Sequence, residues 1–137
     1  MAHLNPFVRF NEGKCREAMQ FYKDCIGGDL TFMTIGESPM AKDMPPEKQN
    51  FIMHAELTKK GILLLQGSDM MRDTAVLGDN VGITINCESE EEIRTIFAKL
   101  EVEGEVFCPL GDAFWGALFG VVIDKYRVEW MLNYPKK

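Results

Sequence analysis

Basic residues are scarce in this chain. Fifteen Lys and Arg stand against 21 Asp and Glu among 137 residues, a formal charge of −6. No basic face is therefore expected that could attract a phosphate backbone and displace its counterions, and a nucleic-acid partner is not expected. Long apolar runs are missing as well. No stretch approaches the roughly 18–20 apolar residues that span a bilayer, and the start lacks a basic region followed by an apolar one. Neither a membrane partner nor a secretory signal is expected, and the cytoplasm is the expected location. The four cysteines, Cys15, Cys25, Cys87 and Cys108, form no CxxC or other close pair. That spacing suggests neither a zinc site nor a disulfide framework, so buried thiols are the ordinary reading.

What is present is an ordinary globular composition, 46% hydrophobic and 26% charged, long enough for one domain whose core needs no staples. Residues 5–10 read as a short strand interrupted by Arg9, with two different faces. From Cys15 the period changes. Cys15, Ala18, Met19, Tyr22, Cys25 and Ile26 fall on one side of a helix over residues 15–26, with Lys14, Arg16, Glu17 and Lys23 on the other, and Gly27-Gly28 stops it. Strands follow at residues 30–35, 51–58 and 62–66, the last two joined as a hairpin across Lys59-Lys60-Gly61.

The second half repeats this order. Residues 81–87 read as a strand, and Ser89-Glu90-Glu91-Glu92 is a capping-box sequence opening a helix over residues 90–103. Ile93, Ile96, Phe97 and Leu100 form its apolar face, Gly104 ends it, and strands are expected at residues 105–108, 116–124 and 127–133. Residues 57–64 lie over residues 123–130 when the closing hairpins are superposed. Neither half could bury both its sheet face and its helix stripe alone, so two modules of about residues 4–67 and 80–134 are expected to make one α+β domain over 1–137.

Two connections carry methionine. The Pro-rich segment of residues 36–50 includes Met40 and Met44, and the linker of residues 68–79 includes Met70 and Met71. Flexible apolar side chains there either pack on the core or form an adaptable lid over an apolar ligand or partner.

The duplicated βαβββ order resembles the vicinal oxygen chelate superfamily, which includes glyoxalase I, extradiol dioxygenases and bleomycin and fosfomycin resistance proteins. More closely the chain resembles its PhnB-like branch, in which the label 3-demethylubiquinone-9 3-methyltransferase also circulates. The residues that carry this are Pro6-Phe7-Val8-Arg9-Phe10-Asn11, Cys15-Arg16-Glu17-Ala18 with Phe21-Tyr22 and Gly27-Gly28, Ile52-Met53-His54-Ala55, Ser68-Asp69, Phe114-Trp115-Gly116 and Trp130-Met131. The resemblance implies mixed sheets curled around a cleft, the glyoxalase/bleomycin resistance/dioxygenase fold, in a homodimer. It also implies four metal positions, which by motif fall near Asn5, Leu63, Gly82 and Glu129. Leucine and glycine have no side-chain donor, so no metal and no cofactor are expected. A nucleotide-like methyl donor would need a Gly-rich strand-to-helix turn. Gly27-Gly28 ends a helix and residues 116–120 lie in a strand, so none is expected.

Strand alternation sorts the remaining polar residues. Val128, Trp130 and Leu132 share the face under a helix, which leaves Glu129, Met131 and Asn133 on the concave side. His54 shares a face with Glu56, and Arg9 with Asn5. One cleft is therefore expected to hold Arg9 as an anion or carboxylate anchor and His54 and Glu129 as the candidate catalytic pair, with His54 a proton carrier near neutral pH or a metal ligand. Phe7, Glu56, Phe114, Trp115 and Met131 complete the ligand-binding set. The alternative is that these charged groups pair with one another at a module or dimer interface. Phe114 and Trp115 are large aromatics in a loop and are expected to cover something, either the cleft mouth or a dimer contact. His3 is a terminal residue without a role. A protein binding an unknown small molecule is the leading expectation. A metal-dependent lyase, isomerase or dioxygenase using His54 and Glu129 is the alternative, and a dimeric interaction module the third.

Overall fold

In the computed structural model, which describes residues 2–69 and 74–136, the helical spacing after Phe10 becomes α1 (Cys15–Ile26), with the expected bounds. Its buried side is Cys15, Ala18, Met19, Tyr22 and Cys25. The first unit, Met1–Val76, adds β1 (Phe7–Arg9), β2 (Asp29–Thr34), β3 (Ile52–Lys59) and β4 (Ile62–Ser68). These form one mixed sheet in the order β1-β4-β3-β2, with β1 parallel to β4 and the other pairs antiparallel. α1 packs on this sheet. Strand β1 is shorter than residues 5–10. Pro6 has no N–H to give to the ladder, and Asn5 spends its side chain on the Leu63 carbonyl, 3.1 Å away.

The second unit, Leu77–Lys137, repeats the order with β5 (Ile83–Asn86), α2 (Glu90–Leu100), β6 (Glu105–Asp112), β7 (Ala117–Ile123) and β8 (Glu129–Pro135). Its sheet runs β5-β8-β7-β6, again with only the first pair parallel. α2 buries Ile93, Ile96, Phe97 and Leu100, the expected stripe. Several bounds differ from expectation, and β8 both starts and ends two residues late. α2 ends three residues early, β5 starts two residues late beyond an exposed Val81, and β6 runs on to Asp112. Pro109 is accommodated within β6 because β6 is an edge strand. The Ser89 hydroxyl accepts the Glu92 N–H at 3.0 Å as expected, but the Glu92 carboxylate reaches the N–H of Glu88, not Ser89. Among the described residues no helix is long and apolar enough to cross a membrane.

Long-range contacts fix these elements in place. Gly28 has φ +108, and a Cβ there would lie 2.4 Å from the Thr58 carbonyl oxygen, so only glycine lets the end of α1 reach β3. At the other end of α1, the Asp69 carboxylate accepts the N–H groups of Cys15 (2.9 Å) and Ile52 (2.8 Å), joining the helix start to β3 and β4. Residues 35–48 form three short 3₁₀ turns instead of an open loop. The Gln49 amide nitrogen holds them, donating to the carbonyls of Ala41 and Met44 at 2.8 and 2.9 Å. Met40 is exposed and Met44 half-buried there. Met70 and Met71 lie outside the described residues.

The two closing hairpins differ in how they turn. Lys60 and Gly61 both have positive φ, the signature of a tight type I′ turn. At the matching place in the second unit Arg127 has φ 70. There the buried Asp124 carboxyl accepts the N–H groups of Tyr126 and Val128 and the indole N–H of Trp130, at 2.7, 3.1 and 2.7 Å. That side chain takes over the ordering that glycine gives the first turn.

Candidate functional site

In the first unit, register determines which polar side chains share the sheet face opposite α1. Phe7 pairs with Gln66, Gln66 with Glu56 and Glu56 with Thr31, while Arg9 pairs with Ser68 and His54 with Met33. Side chains two apart on a strand share a face, so Phe7, Arg9, His54, Glu56 and Gln66 lie on one side. The buried Ala55, Leu57, Leu65 and Gly67 take the other; there Met19 lies against Gly67.

Within this group His54 Nε2 and the Glu56 carboxylate are 3.1 Å apart. Both side chains are over a third exposed, so the pair contributes little to stability and stays accessible to a ligand. The His54 ring lies 6.2 Å from Phe7, and the Arg9 guanidinium carbon lies 5.4 Å from the Phe7 centroid. Arg9 Nε is shielded from solvent and has no hydrogen-bond partner among the described residues. Sequence reasoning placed Phe7, Arg9, His54 and Glu56 together, and this unit does hold them on one face. Gln66, between Phe7 and Glu56, belongs with them and was legible from the same alternation.

In the second unit Trp130 and Leu132 are buried while Glu129, Met131 and Asn133 are half-buried on the opposite face. Glu129 lines a cavity of about 310 Å³ with Leu77, Gly78, Asp79, Ile123 and Arg127. A Cβ on Gly82 would lie 2.8 Å from the Met131 methyl and 3.2 Å from Glu129 Oε2, so the missing side chain is what leaves room for both. Asn5 and Leu63 are likewise neighbours in the first unit, but through the Asn5 amide donating to a backbone carbonyl. Among the described residues no three His, Cys, Asp or Glu side chains come together to hold a metal.

Phe114 and Trp115 are neighbours in space as well as in sequence. They sit in the turn between β6 and β7, and Phe114 is 98% exposed, so it covers nothing within the chain beyond the edge of Trp115, 4.9 Å away. A hairpin turn projects its central residues away from the sheet, which is why cover is lacking. Trp115, 52% exposed, is held more firmly. Its indole N–H donates to the Asn133 side chain at 3.3 Å, that amide donates to Asn86 at 3.4 Å, and Phe119 stands edge-on at 5.1 Å. Asn86 and Phe119 were not singled out from sequence, whereas Asn133 was placed on the concave side with Glu129 but not in the ligand-binding set. Gly116 also differs from expectation, lying in the turn with φ 86 and not in a strand.

Three thiols, of Cys15, Cys25 and Cys87, are buried as expected, but Cys108 is partly exposed on edge strand β6. Burial pushes the Cys15 thiol far above its ordinary range, with the Asp69 charge adding to the effect. The Cys87 thiol is pushed up to about 11 by burial and then by Glu92. Burial also raises the Asp69 carboxyl, against the lowering from its two backbone hydrogen bonds.

The chain is similar to known proteins over nearly its whole length. A family model described as 3-demethylubiquinone-9 3-methyltransferase matches residues 2–133. Protein YjdN of Escherichia coli (strain K12) is 29% identical over 148 aligned positions, covering 98% of this chain and 96% of that one. The crystal structure of protein PA1353 from Pseudomonas aeruginosa matches with a TM-score of 0.86 and 32% identity over all of both chains. A putative 3-demethylubiquinone-9 3-methyltransferase, PhnB protein, from Bacillus cereus matches with a TM-score of 0.74 and 28% identity, over 97% and 99% of the two chains. A glyoxalase/bleomycin resistance protein/dioxygenase family enzyme from Burkholderia phytofirmans PsJN shares the fold with a TM-score of 0.62 at 9% identity, over 93% and 95%.

Proposed function

The chain belongs to the PhnB-like family that carries the description 3-demethylubiquinone-9 3-methyltransferase, a branch of the glyoxalase/bleomycin resistance/dioxygenase superfamily, and we propose that it binds a small organic molecule. The observation that carries this reading is the accessible polar and aromatic group on the first sheet. There Arg9 and the His54–Glu56 pair adjoin Phe7 without being consumed by the core. The reading adds Glu129, Met131, Phe114 and Trp115 from the second unit to the same ligand surface, and takes the two units as modules of one domain. Methyl transfer is not proposed. Gly27 caps α1, and Gly116 and Gly120 fall in a turn and a strand, so neither glycine group makes the strand-to-helix turn that cradles a nucleotide-like cofactor.

The superfamily's metal set does not fit these residues. Leu63 and Gly82 have no donor, Asn5 offers only an amide oxygen, a weak ligand, and with Glu129 this makes at best a weak site. The proposed protein therefore acts without a resident divalent metal. A thermal-shift screen of small molecules with and without divalent cations tests both statements. A ligand selective for the native state adds about 2.7 kcal/mol at a hundredfold excess over its Kd. Stabilisation by compounds in the presence of chelator is the expected outcome, together with elemental analysis finding no near-stoichiometric metal in dialysed protein. Stabilisation that requires zinc, manganese, nickel or iron would favour the metal-dependent lyase, isomerase or dioxygenase built on His54 and Glu129.

A further inference from the structure

We propose that the open face of the first sheet is a receptor for an organic carboxylate, with its oxyanion seated on the Arg9 guanidinium and its apolar body against Phe7. This rests on the small-molecule reading of that face and adds the charge and chemistry of the ligand. The Arg9 Nε–H is closed off from solvent and meets no acceptor among the described residues. A donor on a cationic group withheld from water costs free energy unless an acceptor answers it, and native proteins leave few such groups unanswered.

Among the described residues, the carboxylates of Glu56 and Asp69 are committed elsewhere. Glu56 turns to His54 at 3.1 Å. Asp69 gives one oxygen to the Cys15 N–H and the other to that of Ile52. Arg9 takes part in none of the ion pairs among the described residues. An anion brought from outside would complete the site.

The geometry also selects the kind of anion. Guanidinium is planar with donors along its edges, and contact with the Phe7 ring restrains its orientation while leaving edge donors for a two-oxygen acceptor. A neutral ligand leaves the Nε–H without a full charge partner. A bare inorganic anion answers the charge but leaves Phe7, 38% exposed, uncovered. A carboxylate on an apolar body satisfies both, with Gln66 beside Phe7 available to the rest of the molecule.

The test uses the full chain labelled with ¹⁵N-arginine, titrated separately with benzoate, the isosteric neutral benzamide and inorganic phosphate. The Arg9 Nε–H resonance is assigned by its loss in Arg9→Lys. Benzoate is expected to shift that resonance saturably and to bind about tenfold or more tightly than benzamide or phosphate. Arg9→Lys, which keeps the charge and loses the fork, should weaken benzoate about tenfold while changing benzamide little. Arg9→Gln provides a second variant, and unfolding curves check that both remain folded. Equal affinity for benzoate and benzamide, with the ring resonances of Phe7 and His54 responding to both, would overturn the carboxylate inference and leave the small-molecule reading standing. Phosphate binding as tightly as benzoate would overturn the organic part. If none of the probes moves Arg9 the inference fails, and the thermal-shift screen alone then decides the broader reading.

Discussion

Asp124 is fully buried, yet it is answered on every side: its two oxygens take three N–H groups, from Tyr126, Val128 and the Trp130 indole. Removing it leaves three donors buried together, each costing about 1–3 kcal/mol when unmet. Asp124→Ala is therefore expected to lower stability by about 3 kcal/mol or more in urea unfolding, with tryptophan fluorescence reporting the freed indole; a loss below about 1 kcal/mol would contradict the anchoring role. Cysteine chemistry gives a second expectation at this scale. With burial raising the thiols of Cys15 and Cys87, neither should react with a disulfide reagent in the native protein even at about pH 9, where an ordinary thiol is largely ionised. Cys108, on the edge strand, should react first, and the buried thiols only on unfolding. Rapid native labelling of Cys87 would contradict the burial described.

The elements were the most legible part. α1 and α2 show their apolar stripes in the sequence because a helix repeats every 3.6 residues and packs one side only, and the glycine turn at Lys60-Gly61 declares the first hairpin. Their anchors were less legible. Asp69 holds the start of α1 against β3 from 54 residues away, and nothing near Cys15 in sequence announces it. Its raised carboxyl pKa has a defined consequence. The native state holds this proton to higher pH than the unfolded chain does, so the Asp69 contribution to stability is most favourable at acid pH and falls as pH rises through the raised pKa. Relative to Asp69→Asn, whose side chain does not titrate, the parent protein should lose stability across that window. Unfolding free energies measured at successive pH values check this, and parallel profiles for the two proteins would contradict it.

At the scale of the whole molecule, the exposed aromatics and open sheet edges point to a second copy. Phe107 and Phe114 are 71% and 98% exposed on β6 and its turn, and β6 is an unpaired edge. A homodimer is expected, and light scattering should give twice the 15.6 kDa chain mass; a dilution-independent monomer mass would contradict it. The sequence alone determined the βαβββ repeat, the helix faces and the parity that groups Arg9 with Phe7 and His54 with Glu56, because periodicity is a local property of the chain. Only the tertiary structure decided which partner each group takes: that Glu56 answers His54 and not Arg9, that Asn5 bonds a backbone carbonyl, that Asp124 replaces glycine in ordering the second hairpin, and that Phe114 stands uncovered. Those choices depend on register between strands far apart in sequence, where a shift of one residue exchanges the faces, and no local pattern carries that information.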